Sequence, residues 1–271
     1  MENERNKLPI GVFDSGIGGI SVLAEIIKIL PCEEFAYFAD ILHSPYGTKQ
    51  EDVVRSLSLK AAEFLSLVGV KSLVVACNTA TSVAINDIRR TYPFPVIGME
   101  PALKPAMELG LTGKILVMAT PLTLSSKKFS ALAHHYKHRA EIVPLPCVGL
   151  VEIVERGYLS GQKIEAYLSH VFSTVNKEDI SAIVLGCTHY VLIKKEIVNV
   201  VGDKITIIDG NCGTARHAGS VLQKEGLLNG AIAEKPHIPL RAKVSFYISG
   251  NESEVITRCK QVLQNEGIIC E

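Results

Sequence analysis

Two short apolar runs in this chain of 271 residues are each followed by a cysteine, and the two cysteines lie 110 residues apart. The run Ser72–Ala76 (SLVVA) precedes Cys77, and the run Ala182–Gly186 (AIVLG) precedes Cys187. Each run has the length of a buried strand, and polar residues and then a helical pattern follow each cysteine. A strand followed by a helix, repeated along a chain, is typical of an α/β fold with parallel sheets.

Further apolar runs alternate with helical stretches in the same way. Strands are predicted at Ile10–Phe13, Lys114–Met118 and Ile205–Ile208. The first of these is followed by a glycine-rich turn, DSGIGG, and then by apolar residues at helical spacing as far as Leu30, where Pro31 ends the pattern. We therefore predict an α/β fold with mainly parallel sheets.

The order of these elements indicates an internal duplication. The strand that leads to Ser15 comes before the strand that leads to Cys77, and the strand that leads to Thr120 comes before the strand that leads to Cys187. Each half of the chain thus has a hydroxyl residue after one strand and a cysteine after a later one, with offsets of 105 and 110 residues. We expect two pseudo-symmetric α/β domains with the active site in the cleft between them.

Both cysteines are predicted at the carboxyl ends of parallel strands, where ligands bind in open sheets. A helix N-terminus favours the thiolate of Cys77 or Cys187, and the exposed N–H groups near Asn78, Thr79 and Thr188 are suited to a carboxylate. Two thiols that face one carbon from opposite sides can remove a proton from one face and return a proton to the other. The pattern therefore predicts a racemase in which one cysteine is a thiolate and the other a thiol.

The composition of the chain limits the partners and the cellular compartment that can be expected. The formal net charge is zero, so neither nucleic acid nor a membrane surface is an expected partner. The N-terminal sequence is unlike a signal peptide, and no run approaches the roughly 20 apolar residues of a membrane span.

Seven scattered cysteines without a CxxC pair indicate free thiols in a reducing cytoplasm. Five of them lack a matched context and are read as small buried residues: Cys32, Cys147, Cys212, Cys259 and Cys270.

Three motifs have a plain structural reading beside a functional one. DSGIGG is not a nucleotide fingerprint, because a serine stands where the third glycine belongs and Asp14 would repel a phosphate. His189 lies two residues after Cys187 without other clustered ligands, so a proton relay is expected rather than a metal site, and a packing role stays open. Pro45–Gly47 (PYG) is by itself a turn, whose N–H groups and tyrosine hydroxyl would face a ligand.

Four blocks of the sequence resemble the signature blocks of the glutamate racemase family. They are IGVFDSGIGG at 10–19, SPYGTK at 44–49, VVACNTAT at 74–81 and VLGCTHY at 184–190. Their order and spacing agree with that family, and they run through most of the chain. Aspartate racemases have a similar architecture, but typically lack the FDSGxGG start and have a glutamate in place of His189.

The resemblance implies a fold and an activity. The first α/β domain would be discontinuous, with residues 1–98 and 210–271, and the second would span 99–209. The expected reaction is the cofactor-independent interconversion of L-glutamate and D-glutamate, with no metal, which supplies D-glutamate for peptidoglycan. A cytoplasmic homodimer is expected.

The resemblance also implies roles for individual residues. Cys77 and Cys187 would be the two acid/bases, with Asp14 assisting the first and His189 the second. Glu152, in the VEIVE run, is similar to a glutamate near the family's site. The substrate-binding residues implied are Asp14, Ser15, Pro45, Tyr46, Gly47, Asn78, Thr79, Thr120, Glu152, Thr188 and His189.

Three stretches depart from the family pattern. DILHS at 40–44 lacks the family's frequent arginine, and PLPCVGLVE at 144–152 lacks the more usual phenylalanine. ATPLTLSS at 119–126 replaces a more common Gly-Thr, which leaves Thr123 as a rival to Thr120 for the substrate.

Other functions remain open from the sequence. Racemisation of aspartate or another amino acid is the first alternative. A hydrolase or transferase with a cysteine nucleophile is another, and it would form a covalent adduct and leave one cysteine dispensable. A glutamate-binding protein without catalysis is the third, although an intact pair of thiols disfavours it.

Overall fold

The computed structural model describes residues 2–110, 113–233, 239–250 and 252–271, in which strands and helices alternate. The strands are β1 (Ile10–Asp14), β2 (Glu34–Ala39), β3 (Ser72–Val75), β4 (Val96–Gly98), β5 (Lys114–Ala119), β6 (Glu141–Pro146), β7 (Ile180–Leu185), β8 (Thr206–Asp209), β9 (Leu240–Ile248) and β10 (Ile268–Cys270). The helices are α1 (Glu2–Arg5), α2 (Ile20–Ile29), α3 (Glu51–Val68), α4 (Asn78–Thr91), α5 (Leu103–Glu108), α6 (Pro121–Ser125), α7 (Lys127–Tyr136), α8 (Leu150–Glu155), α9 (Gln162–Phe172), α10 (Thr188–Val191), α11 (Lys194–Val201), α12 (Asn211–Lys224) and α13 (Glu252–Asn265). Short 3-10 helices lie at Ile41–His43 and Lys177–Asp179.

The strands form two sheets. One sheet has six strands in the order β10-β9-β2-β1-β3-β4, and the other has four in the order β6-β5-β7-β8. Neighbouring strands pair in parallel throughout the described residues. The predicted α/β fold with mainly parallel sheets is confirmed.

The strand order also shows the duplication. The order β2-β1-β3-β4 in the first sheet recurs as β6-β5-β7-β8 in the second. β3 and β7 occupy equivalent places beside the central strands β1 and β5, and they lead to Cys77 and Cys187. After β8 the chain returns to the first sheet and adds β9 and β10 to its edge.

Helices cover both faces of the first sheet, so its central strand is apolar on both sides. All five residues of β1 are buried. Val12 packs in one core cluster with Ile20 of α2, and Phe13 packs in another with Leu65 of α3. Burial of each such side chain stabilises the fold by about 1.5–3 kcal/mol. These contacts fix the end of β1, where Asp14 stands, against the rest of the sheet.

The helix after Cys187 begins earlier than its apolar pattern indicates. The sequence predicts polar residues between Cys187 and the helical pattern, whereas α10 begins directly at Thr188 and a second helix, α11, follows from Lys194. Thr188 and His189 therefore belong to the first turn of a helix.

Within the described residues, no helix combines the length and apolarity needed to cross a bilayer.

Candidate active site

The two thiols stand at equivalent places, each between a strand and the helix that follows it. Cys77 is the N-terminal cap of α4 and its Sγ accepts a hydrogen bond from the N–H of Ala80 at 3.4 Å. Cys187 is the N-terminal cap of α10. Both side chains are buried and line one narrow cavity between the two sheets. The lining residues are Ser15, Pro45, Tyr46, Gly47, Cys77, Asn78, Thr79, Thr120, Val151, Cys187, Thr188 and His189.

This cavity brings together most of the residues that the sequence singles out. Two of them, Asp14 and Glu152, do not line it. Val151, which the sequence does not single out, contributes an apolar part of the wall.

On one side of the cavity, Cys77 is held as a protonated thiol. Its Sγ lies 3.3 Å from Oγ of Ser15. Burial, and then the nearby charge of Asp14, raises the pKa of Cys77 to about 12, although the hydrogen bonds from Ser15 and Ala80 oppose this. The thiol form therefore dominates at neutral pH.

On the other side, Cys187 faces a histidine. Nδ1 of His189 lies 3.8 Å from Sγ of Cys187, and Nε2 lies 2.6 Å from Oε1 of Glu155. Burial disfavours the charged ring, but the hydrogen bonds with Cys187 and Glu155 outweigh it, so the pKa of His189 stands above its ordinary value. A protonated ring donates from both nitrogens and places positive charge beside Cys187.

Asp14 lies behind the cavity wall and connects the two halves of the chain. Its carboxylate accepts hydrogen bonds from the N–H of Gly16 at 2.8 Å and from the hydroxyl of Thr188 at 3.0 Å. Burial raises the pKa of Asp14 to about 6, although the charge of His189 lowers it. A side chain at Gly19 would place its Cβ 2.4 Å from Cβ of Asp14, which explains a glycine of the DSGIGG turn.

Three hydroxyls meet where the halves touch. Oγ1 of Thr79 lies 2.9 Å from Oγ1 of Thr120 and 3.1 Å from Oγ1 of Thr123, and the last two are 2.9 Å apart. All three threonines are buried, but only Thr120 of the rival pair lines the cavity. The geometry favours Thr120 as the residue that faces a ligand, with Thr123 supporting it.

The amide of Asn78 is free to bind a ligand. Asn78 is 4% exposed, and neither its side-chain nitrogen nor its oxygen has a hydrogen-bond partner among the described residues. A buried polar group without a partner costs about 1–3 kcal/mol, so such groups in native proteins call for an explanation. Because Asn78 lines the cavity at the N-terminus of α4, a ligand with a carboxylate would satisfy its side-chain NH₂ and nearby backbone N–H groups.

The structure differs from the expectation for the tyrosine of the PYG turn. Tyr46 lines the cavity, but its hydroxyl donates a hydrogen bond of 2.6 Å to Oδ2 of Asp40. The hydroxyl proton is thus engaged behind the wall instead of facing a ligand. The turn is held close to the other half, because a Cβ at Gly47 would lie 2.3 Å from Cβ of Thr120.

The sequence reasoning missed Glu155. It singled out Glu152, but the structure places Glu155 against His189, and Glu155 also accepts a hydrogen bond of 2.9 Å from the N–H of Ile17. Glu152 stands about one turn earlier on α8 and forms no side-chain hydrogen bond within the described part of the chain. Both glutamates lie in the VEIVE run that the sequence singles out, and the structure places the second of them, Glu155, against His189.

None of the described residues form a cluster of three or more His, Cys, Asp or Glu side chains with the spacing of a metal site. The cavity's chemistry-bearing groups are instead the two thiols, one imidazole and the carboxylates behind them.

Known proteins resemble the chain over most of its length. The family model described as Asp/Glu/hydantoin racemase matches residues 35–218. A glutamate racemase of Clostridium novyi is 54% identical over 224 residues, which cover 82% of this chain and 86% of that protein. A glutamate racemase of Clostridium botulinum is 49% identical over 251 residues, which cover 93% of this chain and 95% of that protein. The crystal structure of glutamate racemase from Francisella tularensis in complex with D-glutamate is 30% identical with a TM-score of 0.80, and covers 98% of this chain and 97% of that one.

Proposed function

Because this chain belongs to the Asp/Glu/hydantoin racemase family, we propose that it interconverts L-glutamate and D-glutamate with two thiols as acid and base. The observation that supports this most directly is the pair Cys77 and Cys187, which follow equivalent strands and line one cavity. Similarity to the two clostridial glutamate racemases supports glutamate as the substrate. The substrate is a small molecule.

The proton transfers follow from the two environments. In one direction the thiolate of Cys187, beside the protonated ring of His189, takes the α-proton and becomes a thiol. The thiol of Cys77 gives its proton to the opposite face of the same carbon and becomes a thiolate. In the reverse direction the two cysteines exchange roles, so protons balance in both directions. Asp14 and His189 assist Cys77 and Cys187 respectively.

A thiolate is a much weaker base than the carbanion that it must generate, so the site has to stabilise the transition state more than the bound substrate. The free amide of Asn78 and the N–H groups at the start of α4 are preorganised donors for the α-carboxylate, on which negative charge grows as the proton leaves. Both thiols are buried, and exclusion of water strengthens these interactions.

The remaining polar groups of the cavity would hold the substrate. We assign this to Ser15, Thr79, Thr120 and Thr188 through their hydroxyls and to Pro45–Gly47 through their backbone. We propose glutamate rather than aspartate, because a carboxylate placed one methylene short leaves buried donors unpaired. The methylene itself is worth only about 1–3 kcal/mol.

Several further properties belong to the same proposal. We place the domains at residues 1–98 plus 210–271 and at 99–209, which is supported by the sheet membership of β1–β4 with β9–β10 and of β5–β8. The reaction needs no cofactor, because the two thiols do the acid and base work. We propose a cytoplasmic location, since free catalytic thiols require a reducing compartment. We also propose that the protein is a homodimer and that it supplies D-glutamate for peptidoglycan.

The test is direct. Purified protein is incubated with L-glutamate, without added cofactor, and D-glutamate is measured by chiral chromatography. L-Aspartate is assayed in parallel. The proposal expects D-glutamate, with a higher kcat/KM for glutamate. A higher kcat/KM for aspartate would overturn the substrate, and a stable covalent adduct on one cysteine with the other dispensable would overturn the reaction.

A further inference from the structure

A buried carboxylate stands behind the substrate-binding turn and is not used by the proposed chemistry. Asp40 follows β2 directly and is 4% exposed. Its backbone N–H donates a hydrogen bond of 3.0 Å to the carbonyl of Asp14, so the residue sits beside the catalytic end of the first sheet. A buried charge of this kind is tolerated only when hydrogen-bond donors surround it.

Three side chains supply those donors. The hydroxyl of Tyr46 donates to Oδ2 at 2.6 Å, and the hydroxyl of Ser249 donates to Oδ1 at 2.7 Å. Nδ1 of His43 lies 2.8 Å from Oδ1 and 3.0 Å from Oδ2. The donors come from the 3-10 helix after β2, from the PYG turn and from the end of β9, so the carboxylate is fixed from three directions.

We propose that Asp40 is a positioning residue that, through the hydroxyl of Tyr46, holds the Pro45–Gly47 turn at the geometry the substrate requires. This inference rests on the proposed function, because it assigns a task within that same site. Asp40 itself does not line the cavity, so it acts through Tyr46 and not on the substrate.

The ring of Tyr46 is held at both ends. Its centroid lies 6.3 Å from that of Phe13 at a tilted angle, and its hydroxyl is bonded to Asp40. Burial, and then the hydrogen bond to Asp40, raises the pKa of Tyr46 above its ordinary value, so the hydroxyl stays a donor. Freed from Asp40, this buried hydroxyl would have to find another partner, and the side chain that carries it already lines the cavity.

The position of the turn matters because it touches the other half of the chain. The carbonyl of Gly47 accepts a hydrogen bond of 3.2 Å from the N–H of Leu122, and Gly47 packs against Thr120. A shift of the turn would therefore change the width of the cavity between the two halves. It would also move the turn's N–H groups relative to a bound carboxylate.

The hydrogen bonds around Asp40 also involve the segment that returns to the first sheet. Besides its bond to Asp40, Ser249 accepts a hydrogen bond from the N–H of Leu42 through its hydroxyl at 3.0 Å, and its own N–H donates to the carbonyl of Ala39 at 3.0 Å. The end of β9 thus braces the carboxylate. The stretch DILHS, which lacks arginine, instead provides His43 as the basic neighbour of Asp40.

The experiment measures kcat and KM for glutamate in both directions with Asp40→Asn, Tyr46→Phe and the double variant. Tyr158→Phe, which removes a hydroxyl from a side chain 44% exposed, is the matched control. If Asp40 positions the turn, each single variant raises KM about tenfold, the loss typical of a hydrogen bond to a charged group, with a smaller change in kcat. The double variant then loses no more than the worse single variant, because one hydrogen bond is involved.

Other results overturn the inference. Normal KM in Asp40→Asn would show that the bond from the Tyr46 hydroxyl to Asp40 does not position the turn. A fall of kcat alone in Tyr46→Phe would show that the hydroxyl acts on the substrate. Additive losses in the double variant would show that the two residues act independently. Thermal unfolding checks that each variant is folded. If Asp40→Asn does not fold, Ser249→Ala leaves the carboxylate in place, and the same account expects a rise of KM of about threefold. An inactive wild-type protein would refute the proposed function, whereas an active wild type with unchanged variants refutes only the role of Asp40.

Discussion

Oε1 of Glu155 lies 2.6 Å from Nε2 of His189, and the other nitrogen of that ring faces Sγ of Cys187 at 3.8 Å. The three groups form a line from a carboxylate to a thiol. The main chain of Glu155 is fixed in turn by Arg258, whose Nη1 donates a hydrogen bond of 2.6 Å to its carbonyl. A negative charge at one end of this line stabilises a protonated ring, which places positive charge beside the sulfur at the other end.

Glu155→Gln should therefore lower kcat. The glutamine can still touch His189, but it removes the charge that keeps the ring protonated. A hydrogen bond to a charged group is worth about 1.5–3 kcal/mol and a neutral one about 0.5–1.5 kcal/mol, so replacing the carboxylate should cost on the order of 1–2 kcal/mol, roughly five- to thirtyfold in rate. Steady-state kinetics with L-glutamate measures it.

Glu152→Gln is the matched control, since it makes the same change one turn earlier on α8 and should alter kcat less than about twofold. Equal losses in the two variants, or the larger loss in Glu152→Gln, would show that the contact between Glu155 and His189 has no role in the reaction.

Asp14→Asn should stabilise the fold at neutral pH while lowering activity. Burial raises the pKa of Asp14 from 3.8 to about 6, so the folded protein favours the neutral carboxyl. The free energy that the neutral carboxyl contributes to folding is fully present below the pKa of Asp14 in the unfolded chain. It is lost as the pH rises through the pKa of Asp14 in the folded protein. The wild type therefore loses on the order of 2–3 kcal/mol from this group between about pH 4 and 6.

Urea unfolding of both proteins at several pH values between 4 and 8 tests this. The free energy of unfolding of Asp14→Asn minus that of the wild type should grow across the window from about pH 4 to 6 and stay constant above it. A difference that does not vary with pH would mean that Asp14 is not held with a raised pKa in the folded protein.

Asp14→Asn and His189→Asn should also distinguish the two directions of the reaction. Each residue is proposed to tune one thiol, so each change should slow one proton transfer more than the other. The enantiomers have equal free energy, so kcat/KM stays equal in the two directions for every variant. Only kcat and KM separately can diverge, with the larger loss of kcat in opposite directions for the two variants. Equal losses in both directions for both variants would instead indicate a shared role in holding the substrate.

Much of the fold can be predicted from the sequence, because the central strands are continuous apolar runs. β1, β3, β5 and β7 are buried on both faces, and such runs stand out from their polar surroundings. The positions of Cys77 and Cys187 after two of these strands follow from the same pattern. The duplicated strand order is implied by the matched contexts of the two cysteines.

Two other strands are harder to predict. β6 contains Pro144 and Pro146, which the sequence pattern reads as breaks but which a strand at the edge of a sheet tolerates. β9 alternates buried and exposed residues over its first part, and it lies between β10 and β2, the second of which is about 200 residues earlier in the chain. Long-range pairing of this kind has no local signal.

The contacts between residues of the site are hard to predict for the same reason, because they depend on tertiary packing. The choice between Glu152 and Glu155 depends on which turn of α8 meets His189, and that is decided by how α8 packs against α10. The bond between Asp40 and Tyr46 is likewise a tertiary contact, although the two residues are only six apart. Residue types near a strand end can be predicted from sequence, but their partners cannot.

Cys77→Ser and Cys187→Ser should each abolish racemisation, because serine is far too weak an acid to provide the second base or its conjugate acid. Two controls should retain turnover in the folded protein. Cys259→Ser changes a buried cysteine in the core cluster that contains Val12, and Cys32→Ser changes a cysteine that the structure exposes, although the sequence predicts it to be buried. Chiral chromatography of the product measures all four. Near-normal turnover in either of the first two variants would contradict the two-base mechanism.

The most direct test of the central claim is racemisation of L-glutamate in deuterated water, followed by mass spectrometry of the separated D-glutamate. If one thiol takes the α-proton and the other, exchanged with solvent, donates from the opposite face, the D-glutamate carries deuterium at the α-carbon from the first turnover. D-Glutamate that retains the original hydrogen, or the absence of D-glutamate, would contradict racemisation by Cys77 and Cys187.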